Sequence, residues 1–288
     1  KRSIGDKIFH LGLRYSYSSF DAAFDSTSVI ELPFSDVHSA NGALTGSLAA
    51  EIPISETLSS VSSLSSGFRH PNIDDAVKIR EKGGYVLVPN DSLNAEYLYS
   101  LDESITWRHP SSDLSVSVAG FISLWTEIIT PVNSILNGDS TLVVDGAASI
   151  IQRNENSGNA IIRGARLEVN APLMENMNFK SLINFTKGYI LTSNTPVAHI
   201  PPTFGRTSLE YSQKNWSIEA YALYSGAKHI EDYGPGSTDN AQEALEDGTP
   251  SWWTLNVESH IIFNEHMHAQ VGLSNILDMH YKSFASGI

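Results

Sequence analysis

Cysteine is absent from all 288 residues. That excludes disulfide staples, thiolate metal sites and a cysteine nucleophile, and leaves the compartment open. Charge is scarce as well: Asp, Glu, Lys and Arg make up 17% of the chain, below the rough quarter usual for soluble domains. What charge there is runs acidic, with 32 Asp and Glu against 18 Lys and Arg and a formal net charge of −14. A phosphate backbone finds no basic surface here, so nucleic acid is excluded as a partner. No apolar run approaches about 18 residues, which excludes a transmembrane helix. It does not exclude a β-barrel, whose strands carry only alternating hydrophobicity. The opening Lys1-Arg2-Ser3-Ile4-Gly5-Asp6 lacks the apolar segment of a signal peptide, and the expectation is a mature or internal start. Gly-x-Ser-x-Gly, a phosphate loop and a dinucleotide fingerprint are missing too. No enzyme and no cofactor are expected.

Alternation is what the chain has instead. Phe9, Leu11, Leu13, Tyr15 and Tyr17 fall on one side of a strand over 7–17, with His10, Gly12, Arg14 and Ser16 on the other. Comparable strands are expected over 43–54, 57–66, 93–107, 114–128, 161–171, 177–188, 204–211, 216–225, 253–263 and 267–273. Glu103 breaks the apolar phase of Tyr97, Tyr99, Leu101, Ile105 and Trp107, and a change of phase near Phe121 predicts a bulge.

The connections alternate in length. Long ones run over 18–39, 68–92, 129–158, 189–203 and 228–251; short ones lie near 54, 110, 175, 214 and 265. The segment 129–158 is treated as one irregular excursion, with strand possible over 141–152. One end of the sheet then holds nearly all the loop length. That is the pattern of an antiparallel up-and-down transmembrane β-barrel with short periplasmic turns and long outer loops. A soluble sandwich gives no reason for such asymmetry.

The most distinctive stretch is Ser65-Ser66-Gly67-Phe68-Arg69-His70-Pro71-Asn72-Ile73-Asp74-Asp75. Gly67 permits a sharp exit from a strand, Pro71 holds His70 out of the helical region, and Asn72 or Asp74 can cap a short helix over 75–81. It resembles the Gly-Phe-Arg-x-Pro-Asn-x-Asp-Asp signature of TonB-dependent outer-membrane receptors of the Bacteroidetes type. Further stretches resemble that family in the same order: Val88-Pro89-Asn90-x-x-Leu93-x-x-Glu96-Tyr97, Arg163-Gly164-Ala165-Arg166-Leu167-Glu168, His199-Ile200-Pro201-Pro202-x-x-Gly205-Arg206, and Asn275-Ile276-Leu277-Asp278-x-x-Tyr281.

The resemblance implies an all-β fold: a partial barrel of about eleven strands, against about 22 in such transporters. Residues 1–288 would be the C-terminal part, with the plug domain and the final strand missing. It implies a bacterial outer-membrane location, lipid around the barrel, and import of a scarce nutrient such as a ferric siderophore or corrinoid. Contact with the TonB complex would run through the missing plug. A non-transporting surface adhesin or carbohydrate-binding β-domain is the alternative. The resemblance also implies ligand contact at the outer loops, where Arg69, His70, Tyr85, Tyr233, Trp252 and Trp253 are placed.

The remaining chemistry-bearing residues have plainer explanations. Asp74 and Asp75 have no nucleophile or base beside them and are expected to cap. His260, His266 and His268 cluster near one turn, but a polar lumen accounts for them. The acidic loop carrying Glu231, Asp232, Asp239, Glu243, Glu246 and Asp247 lacks calcium-loop spacing and is expected to be solvated. Trp107, Trp125, Trp216, Trp252 and Trp253 mostly fall near strand ends, as interfacial girdles do.

Overall fold

The computed structural model describes residues 2–24, 32, 34–144, 146–234, 239–241 and 244–285. In chain order the elements are β1 (Arg2–Ile4), β2 (Lys7–Ala23), β3 (Asp36–Pro53), β4 (Leu58–Arg69), α1 (Ile73–Val77), β5 (Arg80–Lys82), β6 (Tyr85–Val88), β7 (Glu96–Arg108) and β8 (Ser115–Thr126). There follow β9 (Ile129–Asn133), β10 (Thr141–Val144), β11 (Ala147–Asn156), β12 (Asn159–Met174), β13 (Met177–Ile190), β14 (Thr195–Pro196), β15 (Phe204–Gln213), β16 (Trp216–Ser225), β17 (Lys228–His229), β18 (Gly248–Thr249), β19 (Trp252–Asn264) and β20 (Met267–Leu273).

Eleven long strands form one antiparallel wall in the order β2-β3-β4-β7-β8-β12-β13-β15-β16-β19-β20, with β1 short at one edge and β14 beside β13. Every neighbour in the wall is also the next wall strand in sequence, which is the up-and-down meander that the loop lengths predict. The wall is open: β1 covers only Lys7–Phe9 of β2, and β20 pairs with β19 alone.

Residues opposite one another on the ladder share a face, so register assigns the faces of the whole wall. The apolar face takes Leu11 and Leu48, then Leu64, Leu101 and Ile122. Farther along it takes Ala222 with Leu255, and Val257 with Leu273. Its side chains are exposed, Leu11 at 74% and Leu13 at 76%, as is expected of the outer side of a transmembrane barrel. The ladder also climbs. From Ile105, near the lower end of β7, it passes through Val118, Leu167, Ile183 and Gly205 to Tyr224 near the top of β16. That climb is the strand tilt a barrel requires.

Three sequence expectations need correction. Register is continuous from β7 through β8 to β12, with no bulge at Phe121. The apolar phase simply continues through Ile122 and Leu124, and the Phe121 ring lies on the other face, over Gly164, where any Cβ would collide with it. β4 runs through Gly67 to Arg69, because Gly67 is paired with Leu98 in the ladder; the chain leaves the wall at His70-Pro71 instead. The helix occupies Ile73–Val77, and Asn72 caps it with a full capping box to Asp75.

The largest difference concerns 129–158. This excursion carries β9, β10 and β11, and they join β5 and β6 of the other long excursion in a second, five-stranded sheet. The joining pair, β11 with β6, is parallel, Ile151 opposite Val86. Neither segment can bury its apolar face alone, so Val86, Val88 and Ile151 form a shared core, packed against Leu32, Leu136, Leu142 and Val144. A second core of Val37, Ala76 and Leu93 seats α1 against Phe20, Phe24 and Phe34 at the top of β2 and β3. The two excursions are thereby one ledge fastened to the barrel mouth.

Candidate functional site at the barrel mouth

The base of the ledge is built by the sequence signature. Glu96, the first residue of β7, is 2% exposed. It accepts from the backbone N–H of Ile129 at 2.7 Å and from Nε of Arg69. The other end of the Arg69 guanidinium donates to Asp75 at 2.5 Å, and Asp75 closes the capping box by accepting from the Asn72 N–H at 2.9 Å. One arginine thus ties β4, α1 and β7 together.

Asparagines carry the tie upward. Asn90 donates to the carbonyl of Asn154 at 2.7 Å, and Asn154 donates to that of Asp75 at 2.8 Å. Asn156 accepts from the N–H of Asn94 at 2.8 Å and donates to its carbonyl at 3.0 Å. Backbone groups of irregular segments need partners when water is excluded, and amide side chains can donate and accept at once. The signature residues Arg69, Asn72, Asp75, Asn90 and Glu96 are therefore the clasp between ledge and wall. Asp74 pairs with Lys78 at 2.8 Å. The His70 ring packs edge-on to Phe68, centroids 4.6 Å apart, and both its nitrogens are buried without a partner.

Above the clasp, the ledge sheet has one covered and one open face. The open face carries Tyr85 and Ile150, which are paired in register, together with Leu87, Val143, Arg80 and Lys82. Tyr85 is 44% exposed and Val143 70%. This face is turned away from Leu32, which packs on the opposite one. Its two cations stand out in a chain of net charge −14.

The other side of the mouth is closed by the segment after β20. Asn275 and Asp278 both adopt left-handed backbone, φ +50° each, a conformation that short polar side chains tolerate. This explains the spacing of the C-terminal motif: two turns send the chain over the loop between β16 and β19. Tyr281 stacks on Trp252, centroids 4.2 Å apart, and Phe284 packs edge-on to Tyr233 at 5.2 Å. Tyr233 is buried, with its hydroxyl 2.5 Å from that of Thr249. Trp252 faces inward and Trp253, its neighbour in sequence, faces outward opposite Tyr224.

The loop is less solvated than its composition predicts. Asp239 is 1% exposed and accepts the backbone N–H groups of His199 at 2.7 Å and Gly234 at 2.6 Å. Glu243 lies outside the described residues. Lys228 is 7% exposed, donates to the carbonyl of Ile200 at 2.7 Å and lies 4.8 Å from the Phe284 ring centroid. Burial pushes its ammonium below the ordinary lysine value, against the pull of Asp239 and Asp232. This buried lysine is the feature the sequence does not disclose, since nothing local to Lys228 marks it.

Of the five tryptophans, Trp107, Trp216 and Trp253 share the lipid phase, while Trp125 and Trp252 point inward. Among the described residues, no group of three or more His, Cys, Asp or Glu side chains is placed to hold a metal ion.

Comparison with known proteins agrees with this architecture. Residues 5–276 match the family model described as TonB dependent receptor-like, beta-barrel. Among solved structures, the copper transporter OprC superposes with a TM-score of 0.76 at 16% identity, over 97% of this chain and 42% of its own. The FrpB iron transporter from Neisseria meningitidis gives 0.67 at 15% identity, over 99% and 41%. The siderophore receptor PirA from Acinetobacter baumannii gives 0.65 at 16% identity, over 84% and 38%. The chain spans less than half the length of each of these structures. No protein of curated function matches its sequence.

Proposed function

We propose a function from one premise: the chain belongs to the TonB-dependent receptor β-barrel family. Such barrels lie in the bacterial outer membrane and are not enzymes, so the function is binding and passage rather than bond making. We assign residues 1–288 to the C-terminal part of a receptor barrel that imports a scarce nutrient. The TonB complex acts on it through a plug domain.

Within that class, the nutrient is an anionic ferric siderophore in preference to a corrinoid. The observation that carries this is the open face of the ledge. Tyr85 offers a ring for stacking and Arg80 and Lys82 offer charge, on a frame held rigid by the Arg69–Glu96–Asp75 clasp. Preorganised aromatic and cationic groups suit a negatively charged ligand that presents ring edges or faces to stack against. Tyr233, buried against Phe284, and Trp252, stacked on Tyr281, brace the far side of the mouth, with Arg69 and His70 at the base of the ledge.

The test is uptake of iron-55 by cells that depend on the complete receptor, supplied as anionic siderophore complexes or withheld in favour of a labelled corrinoid. Uptake of the iron complex should require an energised inner membrane. Arg80→Gln with Lys82→Gln should weaken its binding about tenfold or more, two charge-assisted contacts being lost. Corrinoid uptake without iron uptake sinks the assignment.

A further inference from the structure

His199 lies at the mouth, in the connection between β13 and β15. Val197 and Ile200, on either side of it, are buried in a core shared with Ile128 and Ala160. Trp125, Ile162 and Ile190 pack against that core, and all three share the inward face with Ala160. The connection therefore folds over the inner side of the wall, and Ile128 is the residue just before β9 of the ledge. Between its two buried neighbours the His199 side chain is 69% exposed. Its backbone is left-handed, φ +63°, a conformation that glycine or asparagine enters more readily.

Asp239 orients the ring. Its carboxylate is buried and accepts the backbone N–H groups of His199 and Gly234. Its Oδ1 also lies 3.3 Å from Nδ1 of the His199 ring. A proton on Nδ1 then faces the carboxylate, and the Nε2 lone pair is left on the far side of the ring. Nε2 has no protein partner among the described residues. A carboxylate behind an imidazole in this way sets the tautomer and direction of metal-binding histidines. The loop contact itself needs only the backbone N–H of residue 199, which any residue but proline supplies, so the ring is surplus to the fold. Among the described residues nothing completes a metal site around it. A single imidazole suits a metal that arrives with most of its donors already bound.

We propose that Nε2 of His199 binds the iron of the imported complex directly, at a coordination position that the chelator leaves open. The inference rests on the reading of the nutrient as an anionic ferric siderophore and narrows it to chelates that do not enclose the metal. Iron accepts imidazole nitrogen. The step is a ligand exchange: the Nε2 lone pair takes the place of a bound water, which leaves with its own electron pair. Imidazole and water are both neutral ligands, so the complex keeps its negative charge and the iron its oxidation state. A siderophore that wraps the metal completely has no position for His199 to fill.

The test uses the complete receptor in mild detergent and two iron(III) probes: a bis-catecholate chelate, which leaves water on the metal, and a tris-catecholate chelate, which does not. On wild type the charge-transfer band of the bis-catecholate complex should shift on binding, and that of the tris-catecholate complex should not. His199→Asn tolerates the left-handed backbone and keeps the N–H that Asp239 accepts. It should bind the bis-catecholate complex about tenfold or more weakly, since even the partner behind a metal ligand is typically worth that, and the tris-catecholate complex as wild type does. His199→Gly should lose the shifted band, and free imidazole in the buffer should restore it, which a purely structural histidine would not allow. Equal binding of the bis-catecholate complex by wild type and His199→Asn, or an unshifted band on wild type, overturns the proposal and leaves the siderophore reading intact. Binding of neither probe to wild type overturns both.

Discussion

The wall and the ledge are both β-sheet, and they are stabilised in opposite ways. The wall keeps its apolar side chains outside, with Leu13, Tyr15 and Val271 more than 60% exposed, and its polar pairs inside, as with Lys180–Glu210 and Arg206–Glu219 at 2.8 Å each. The ledge does the reverse: Val86 and Ile151, each 1% exposed, are its centre. The wall is specified by alternation plus lipid. The ledge is specified by contacts between segments more than 40 residues apart and by a clasp of charged and amide groups. A long connection in such a barrel is therefore not a slack loop; two of them together make a folded unit.

The sharpest way to break the wall is to reverse one side of its alternation. Val257 faces lipid opposite Ala220 and Leu273, whereas Glu258 faces inward opposite Glu219. An arginine near mid-bilayer costs roughly 2–4 kcal/mol. Val257→Arg should abolish the heat-modifiable mobility of the assembled barrel on a gel, and Glu258→Arg should leave it intact; equal tolerance of both contradicts the orientation of every strand.

The ledge should respond to a different change. Glu96→Ala strands the Ile129 N–H and half of the Arg69 guanidinium, a loss of roughly 1–3 kcal/mol. Limited proteolysis should then cut within 70–158 while the barrel keeps its gel mobility. Loss of both together means that the ledge is not a separable unit.

Smaller effects are expected at the far side of the mouth. Tyr281→Ala removes the stack on Trp252, worth about 0.5–1.5 kcal/mol, and should raise amide exchange in 226–251 without touching 70–158.

The least disruptive probe is pH. The folded loop holds Lys228 below its ordinary value, so the unfolded loop binds the extra proton. The stability of the loop therefore rises with pH across the window between the lowered value and the ordinary one, and is flat below it. Amide exchange in 226–251 should slow as pH is raised through that window once the intrinsic rate is corrected, and Lys228→Met should remove the dependence. An unchanged slope in the variant means that another group titrates.

Much of this was legible beforehand at the level of faces and lengths. Period-two alternation set Leu11–Leu13–Tyr15 against His10–Gly12–Arg14, and the contrast of loop lengths fixed which end of the sheet is the mouth. The motifs marked the right places, although not what they do there. Arg69, Asn72 and Asp75 stand out in sequence, yet only the fold brings Glu96 to them, 21 residues beyond Asp75.

The sequence by itself determined the long wall strands, apart from their ends, their order and their two faces, because side-chain period and connection length are local properties. The tertiary structure alone decided the parallel pairing of β6 with β11 and the burial of Lys228 and Asp239. Each of those depends on register between distant segments, and local pattern does not encode a register that only cross-strand burial selects.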